Sequence, residues 1–309
     1  FDVASIFVDL LKNNFELTEL IINGVIPVAQ FRNAKQVEQL DLSSKCYQDV
    51  DVIVVASLLE SNTTLTDVDM RFNSAVSERG AEAILKASKA RETFMVFSGI
   101  PAQALQNSDP DLTELDLTSN GCGEIETALV NEWLQEGNTS LLAVHGVSLA
   151  PKACQRLRLN RGLQQARMMQ NAPSQIEELE LLDLGDEGVM PVLEQIRVQP
   201  LISVNVLWKD DEKAKIGPKG IQEVTKALEN VKTLHTLNFS NNNVGSLGCK
   251  HLHKNMESHV GLKKLVLKFC CIDADGMMSL VQLVRNNRVE ELDLEGNNLK
   301  DNGAEMLFA

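Results

Sequence analysis

A nine-residue pattern recurs along this chain at a spacing that dictates its architecture. Leu234-His-Thr-Leu237-Asn-Phe239-Ser-Asn-Asn242 is followed by Leu262-Lys-Lys-Leu265-Val-Leu267-Lys-Phe-Cys270 and by Val289-Glu-Glu-Leu292-Asp-Leu294-Glu-Gly-Asn297. The copies start 28 and 27 residues apart, and each reads L-x-x-L-x-L-x-x-N/C. A Gly stands six residues beyond each Asn/Cys position, at Gly248, Gly276 and Gly303, and apolar residues at helical spacing follow it, such as Leu280, Leu283 and Val284. Each copy therefore reads as a short strand, a turn and an amphipathic helix.

The frame extends towards the N-terminus. Leu112 to Asn120 is a full copy, and Leu65 to Asn73 is another, with Met70 in a leucine position and Gly80 beyond it. Val37 to Leu42 fits with Lys45 in the Asn position, and Leu17 to Ile22 is a weaker first copy behind a leading helix over 1–14. Ile176 to Leu181 has Leu184 in that position, and Leu201 to Val206 has Lys209. Spacing places two further strands around Phe94–Phe97 and Leu141–Val144. The expected organisation is one domain over 1–309, with about ten repeats over 15–309, irregular at 86–110 and 143–173.

Alternating leucines point inward from each strand while the helix covers the other side, so one unit buries too little alone and neighbours must stack. The Asn or Cys side chains are expected to bond loop backbone as a ladder, formed by Asn73, Asn120, Asn242, Cys270 and Asn297. The apolar position after them is filled by Val244, Ile272 and Leu299.

With N-x-L-x-x-x-G in units of 28 residues, the chain resembles leucine-rich-repeat proteins of the ribonuclease-inhibitor type, from Leu17 to its end. The resemblance implies an α/β solenoid, a curved horseshoe with parallel strands on the concave face and helices on the convex face. It does not single out a function. Such proteins include nuclease inhibitors, sensor domains of NOD-like receptors, Ran GTPase-activating proteins, cytoskeletal and axonemal scaffolds and bacterial effectors. Most share a concave face that binds protein.

Composition narrows the partner. With 44% apolar residues but one Tyr, two Trp and ten Phe, the interior is aliphatic. A net charge of −14 repels nucleic acid and anionic lipid, so neither is expected as a partner, and a basic or neutral protein is. The longest apolar run, Val52–Leu59 broken by Ser57, is far shorter than the roughly 18–20 residues that span a bilayer. No secretory signal opens the chain, and six scattered cysteines suggest reduced thiols, which together imply a cytoplasmic setting. The sequons at Asn62, Asn138 and Asn238 are taken as chance matches.

Residues between the leucines face the concave side, and they are mostly acidic there. A less acidic window holds Trp208, Lys264, Val266, Lys268 and Phe269, flanked by Glu291 and Asp293, and we expect a partner to dock on it. The charged insertion Trp208–Pro218 reads as a solvated surface loop, or, in the sharper reading, as a contact loop at the rim of this window. Catalytic signals are sparse. Cys249, His251, His253 and His259 share a helix region, but Leu252 and Met256 claim its inward stripe, so no metal is expected. Cys270-Cys271 reads as structural, and no phosphate, dinucleotide or nucleophile-elbow motif calls for a cofactor. The expected function is a non-enzymatic module that binds protein through its concave face, either as a scaffold subunit of a larger complex, for example a cytoskeletal or axonemal one, or as a sensor or inhibitor. The alternatives are a Ran-type GTPase-activating protein and a pathogen effector or innate sensor module. The last repeat stops at Gly303–Ala309, partway through its helix, which suggests a longer chain.

Overall fold

L-x-x-L-x-L builds a strand of only three to five residues, because the pattern supplies just two or three inward side chains before the turn. The computed structural model describes residues 3–32, 36–90, 94–135, 137–172, 174–209 and 214–299. Among them lie sheets of five, three and two parallel strands and one antiparallel pair. The chain divides into two units, Phe1–Leu157 and Arg158–Ala309, each with its own apolar core.

The first unit opens with helix α1 (Val3–Asn13), strands β1 (Leu20–Ile21) and β2 (Val25–Ile26), and the single turn α2 (Val28–Phe31). Leu17 to Ile22 is not a parallel repeat strand, as its sequence suggested. Leu20 pairs antiparallel with Ile26 around Asn23-Gly24. Two features explain it: Asn-Gly favours a tight reversal, and the buried Asp51 carboxylate, from the next repeat, accepts from the Asn23 and Gly24 backbone amides at 3.0 and 3.3 Å.

Strand β3 (Gln39–Asp41), helix α3 (Asp49–Ser61), β4 (Asp67–Asp69), α4 (Glu78–Lys89), β5 (Val96–Phe97) and α5 (Ala102–Gln106) follow. Leu40, Val68 and Phe97 stand in register and are buried. The irregular segment at 86–110 is thus a shortened repeat, whose strand turns back at Ser98–Ile100 into a helix of little more than one turn. Strand β6 (Glu114–Asp116), α6 (Glu124–Gln135) and β7 (Ala143–His145) form a further parallel pair with its helix. Helix α7 (Pro151–Gln170) accounts for most of the second irregular segment and runs past the boundary of the unit.

The second unit carries β8 (Glu178–Leu182), α8 (Gly185–Val189), α9 (Leu193–Val198), β9 (Ser203–Leu207), α10 (Pro218–Leu228), β10 (Thr236–Asn238), α11 (Gly245–Met256), β11 (Lys264–Val266), α12 (Ala274–Asn286) and β12 (Glu291–Asp293). Its five strands pair in chain order, so Leu179, Val204, Leu237, Leu265 and Leu292 form one inward column. The repeating glycine has a steric cause. A Cβ at Gly248 would lie 2.7 Å from Val244 Cγ1, and one at Gly276 would lie 3.0 Å from Ile272 Cγ2. Each helix starts directly over the apolar residue that closes the turn. The end of the last repeat, with Gly303 and the stretch 303–309, lies outside the described residues, as do 210–213 of the charged insertion.

Candidate functional site

Loop geometry fixes the edge of the strand face, and in four repeats one side chain after the strand holds it. Asn73 is buried; its Nδ2 donates to the carbonyls of Leu42 and Met70 at 3.0 and 2.8 Å, while its Oδ1 accepts from the Lys45 and Tyr47 amides, each at 3.1 Å. Asn242 donates to Val206 and Phe239 carbonyls at 2.7 and 3.0 Å and accepts from Ile216 N at 2.9 Å. Asn297 donates to Leu267 and Leu294 carbonyls and accepts from the Cys270 and Ile272 amides. The thiol of Cys270 donates to Phe239 O at 3.1 Å, and burial pushes its pKa up to about 12.

Asn120 departs from this pattern. It is half-buried, and among the described residues its side chain makes no ladder bond. The shortened repeat before it has no full loop to be bridged. Ser98 takes over instead, accepting from Met70 N at 3.0 Å and donating to the buried Glu126 carboxylate at 2.6 Å, which in turn accepts from Gly123 N.

A second ladder, missed in the sequence, lies at the opposite end of the strands. Asn62, Asn138 and His259 each stand three residues before the first leucine of a strand motif and are buried. Asn62 bridges Phe31 O and Leu65 N, and Asn138 bridges Leu105 O and Leu141 N. His259 spans Val231 O and Leu262 N at 3.0 and 3.2 Å with its two ring nitrogens. The common spacing was the signal. Burial of Asn62 and Asn138 also withholds both sequons from modification in the folded chain.

The second unit brings most of the window together. Lys264 and Val266 on β11 stand beside Glu291 and Asp293 on β12 in register, with Lys268 and Phe269 in the following turn. Lys264 Nζ lies 2.6 Å from Glu291 Oε1, and Lys268 Nζ lies 2.9 and 2.7 Å from Asp293 and Glu295. Hydrogen bonds to Glu295 and then Asp293 hold the Lys268 pKa above its usual range, and the Lys268 bond is the main cause of the lowered Asp293 pKa. The two lysines thus offset most of the charge of the three carboxylates instead of standing free. Val266 is only 8% exposed and offers little surface. Phe269 is 53% exposed, although its φ of 51° is uncommon for a bulky residue. Trp208 stands two strands away, half-buried, with Lys215 Nζ 4.2 Å above its ring. That lysine roofs the indole, so Trp208 is not the open aromatic its sequence position suggested.

The first unit repeats part of this design. Phe72 precedes Asn73 as Phe269 precedes Cys270; it has φ 61° and is 58% exposed. The neighbouring face is acidic: burial, then repulsion from Asp69, raises the Asp67 pKa, while Arg71 is bound 2.6 Å from Asp69.

Catalytic geometry does not emerge from the other candidates. Cys249 is buried with a pKa of about 12, His253 faces Glu257 and His259 is taken up in its ladder. Among the described residues no three His, Cys, Asp or Glu side chains are grouped to hold a metal ion, and no helix is long and apolar enough to cross a membrane. Glu290 and Glu291 face Lys263 and Lys264 of the preceding repeat. A groove of about 600 Å³ by α1 and α3 is lined mainly by Val8, Leu11, Phe15, Phe31 and Leu58.

Comparison with known proteins agrees with the repeat. The Leucine Rich repeat family matches residues 61–85, 232–252, 262–281 and 285–308. The human protein NACHT, LRR and PYD domains-containing protein 5 is 32% identical over 124 residues, 40% of this chain and 10% of that protein. The ribonuclease inhibitor of Sus scrofa is 30% identical over 207 residues, 65% of this chain and 43% of the inhibitor. The chain therefore spans less than half the length of either relative.

Proposed function

We propose that this chain, a leucine-rich-repeat protein of the ribonuclease-inhibitor-like type, is a non-enzymatic scaffold that binds a partner protein on the strand face of its second unit. The observation that carries this reading is Phe269, an aromatic side chain kept half exposed at a left-handed turn position beside a network of paired lysines and carboxylates. An exposed aromatic anchor with a polar rim is the composition of an interface centre. The carboxylates Glu178 and Glu180 on the same sheet, both exposed, favour a partner that presents basic residues. On this reading the chain works in the cytoplasm as one part of a larger complex.

The test compares capture of proteins by the intact chain and by Phe269→Asn, alone and with Trp208→Ala. Asn suits the left-handed backbone, so the turn is kept while the ring is lost. A stoichiometric partner that is lost with Phe269→Asn supports the reading. Equal retention by all forms removes the strand face of the second unit from consideration. Acceleration of GTP hydrolysis in a panel of small GTPases would overturn the non-enzymatic assignment.

A further inference from the structure

Residues 137–176 include Lys152, Arg156, Arg158, Arg161 and Arg167 and no Asp or Glu, in a chain with a net charge of −14. All five cations lie on α7. Two have structural work: the buried Arg158 has Nε 3.4 Å from Glu187, and Arg161 donates to the Asp183 carbonyl at 3.1 Å. Lys152, Arg156 and Arg167 have no carboxylate partner among the described residues.

Those three share one side of the helix. At about 100° per residue they fall within an arc of roughly 60°, with Leu159, Leu163 and Gln170 on or beside it. No residue of that arc is buried: Lys152, Arg167 and Gln170 are exposed, and Arg156, Leu159 and Leu163 are half-buried. The buried positions, among them Ala153, Leu157, Asn160 and Met169, lie on other sides. From Lys152 to Arg167 the stripe is about 22 Å long. It lies on a single helix and depends on nothing but that helix for its geometry.

We propose that this stripe is a docking site for a short acidic protein segment with apolar residues between its carboxylates. The charge sequence fits such a ligand: two cations within one turn, two leucines, then a third cation. The leucines and the methylene stems of the cations supply apolar contact that carboxylates alone would not use. A uniform polyanion longer than the stripe, such as nucleic acid, would run onto a chain that repels it. The site is independent of the strand face, so the module would join a basic partner there to an acidic one here.

The probe is a fluorescein-labelled peptide alternating Glu and Leu, about 12 residues long, titrated with the full chain at about 50 mM and about 300 mM salt. Binding should weaken with salt and fall about tenfold in Lys152→Gln/Arg156→Gln/Arg167→Gln, the sum of three exposed charge contacts. Lys152→Gln alone should cost about twofold, and Phe269→Asn should leave affinity unchanged. Circular dichroism checks that the helix persists; should the triple variant unfold, the Lys152→Gln result decides. Absence of peptide binding, affinity unaltered by the substitutions, or preference for a single-stranded oligonucleotide or phosphatidylserine vesicles overturns the proposal. So does a dimer of the chain itself that the same substitutions dissolve.

Discussion

Replacing Asn242 by Asp tests the ladder with one atom and almost no change in shape. Asn242 is 2% exposed and uses both ends of its amide: Nδ2 donates to Val206 O and Phe239 O, and Oδ1 accepts from Ile216 N. Asn242→Ala removes these three bonds and a longer fourth one, from Nδ2 to Ser240 O at 3.2 Å, and should cost about 3–4 kcal/mol, at about 1 kcal/mol per bond. Asn242→Asp keeps the acceptor but turns a carboxylate oxygen towards two carbonyls. The charged form is then penalised by burial and repulsion, so the pKa of the new group rises in the folded state. The native state holds the proton that the unfolded chain releases near pH 3.9. Its stability relative to wild type is therefore best below that pH and is lost as pH rises towards the folded pKa, by up to about 1.4 kcal/mol per unit of pH. The assay is urea unfolding followed by circular dichroism from pH 4.5 to 7.5, with both variants referred to wild type at each pH. The Asp deficit should grow across the range while the Ala deficit stays flat. A flat Asp deficit, or an Ala cost below about 1 kcal/mol, would refute the assignment of Asn242 as a buried two-way bridge.

Two other perturbations have a definite sign. Gly162→Ala would ordinarily stabilise a helix interior by about 1 kcal/mol, but its Cβ would lie 1.9 Å from the Gly188 carbonyl oxygen, a backbone atom that cannot rotate away. Thermal denaturation should instead show a loss of about 2–3 kcal/mol, and any gain in stability would show that α7 and α8 do not cross that closely. Thiol labelling at neutral pH should modify the exposed Cys46 and Cys271 quickly, while Cys249 and Cys270, buried with pKa values of about 12, react only on unfolding; mass spectrometry of the labelled peptides reads this directly, and fast modification of Cys270 would count against its place in the ladder.

Most of the fold was legible because its signal is a spacing. Leu234, Leu262 and Val289 announced three successive strands, and the column of Leu237, Leu265 and Leu292 stands in register as the period requires. Where the period lapsed, contacts with a neighbouring repeat decided. Asn23-Gly24 made a hairpin from what looked like a weak repeat because Asp51, 27 residues further on, supplies the acceptor for its amides. The bridging role expected of Asn120 passed to Ser98 and Glu126 because a neighbouring repeat was cut short. Neither outcome could be read locally, since each depends on a partner in another repeat.

The candidate site was legible in a different and more limited way. Alternation placed Lys264, Val266, Glu291 and Asp293 on one face, with Lys268 and Phe269 in the turn that follows, but it said nothing of how they pair. A lysine followed one repeat later by an acid is a solvated charge in the sequence and an ion pair in the sheet: Lys264 with Glu291, Lys268 with Asp293 and Glu295, and Lys263 with Glu290. In a parallel stack with a period of 27 residues, side chains one period apart are neighbours across about 4.8 Å, so charges cancel along the stack and not along the chain. The net acidity of such a face therefore cannot be summed from its sequence columns. It must be counted after each cation has been assigned to the repeat beside it, and after that assignment Phe269 and the carboxylates of β8, without a cation partner among the described residues, stand out as features a partner could read on this face.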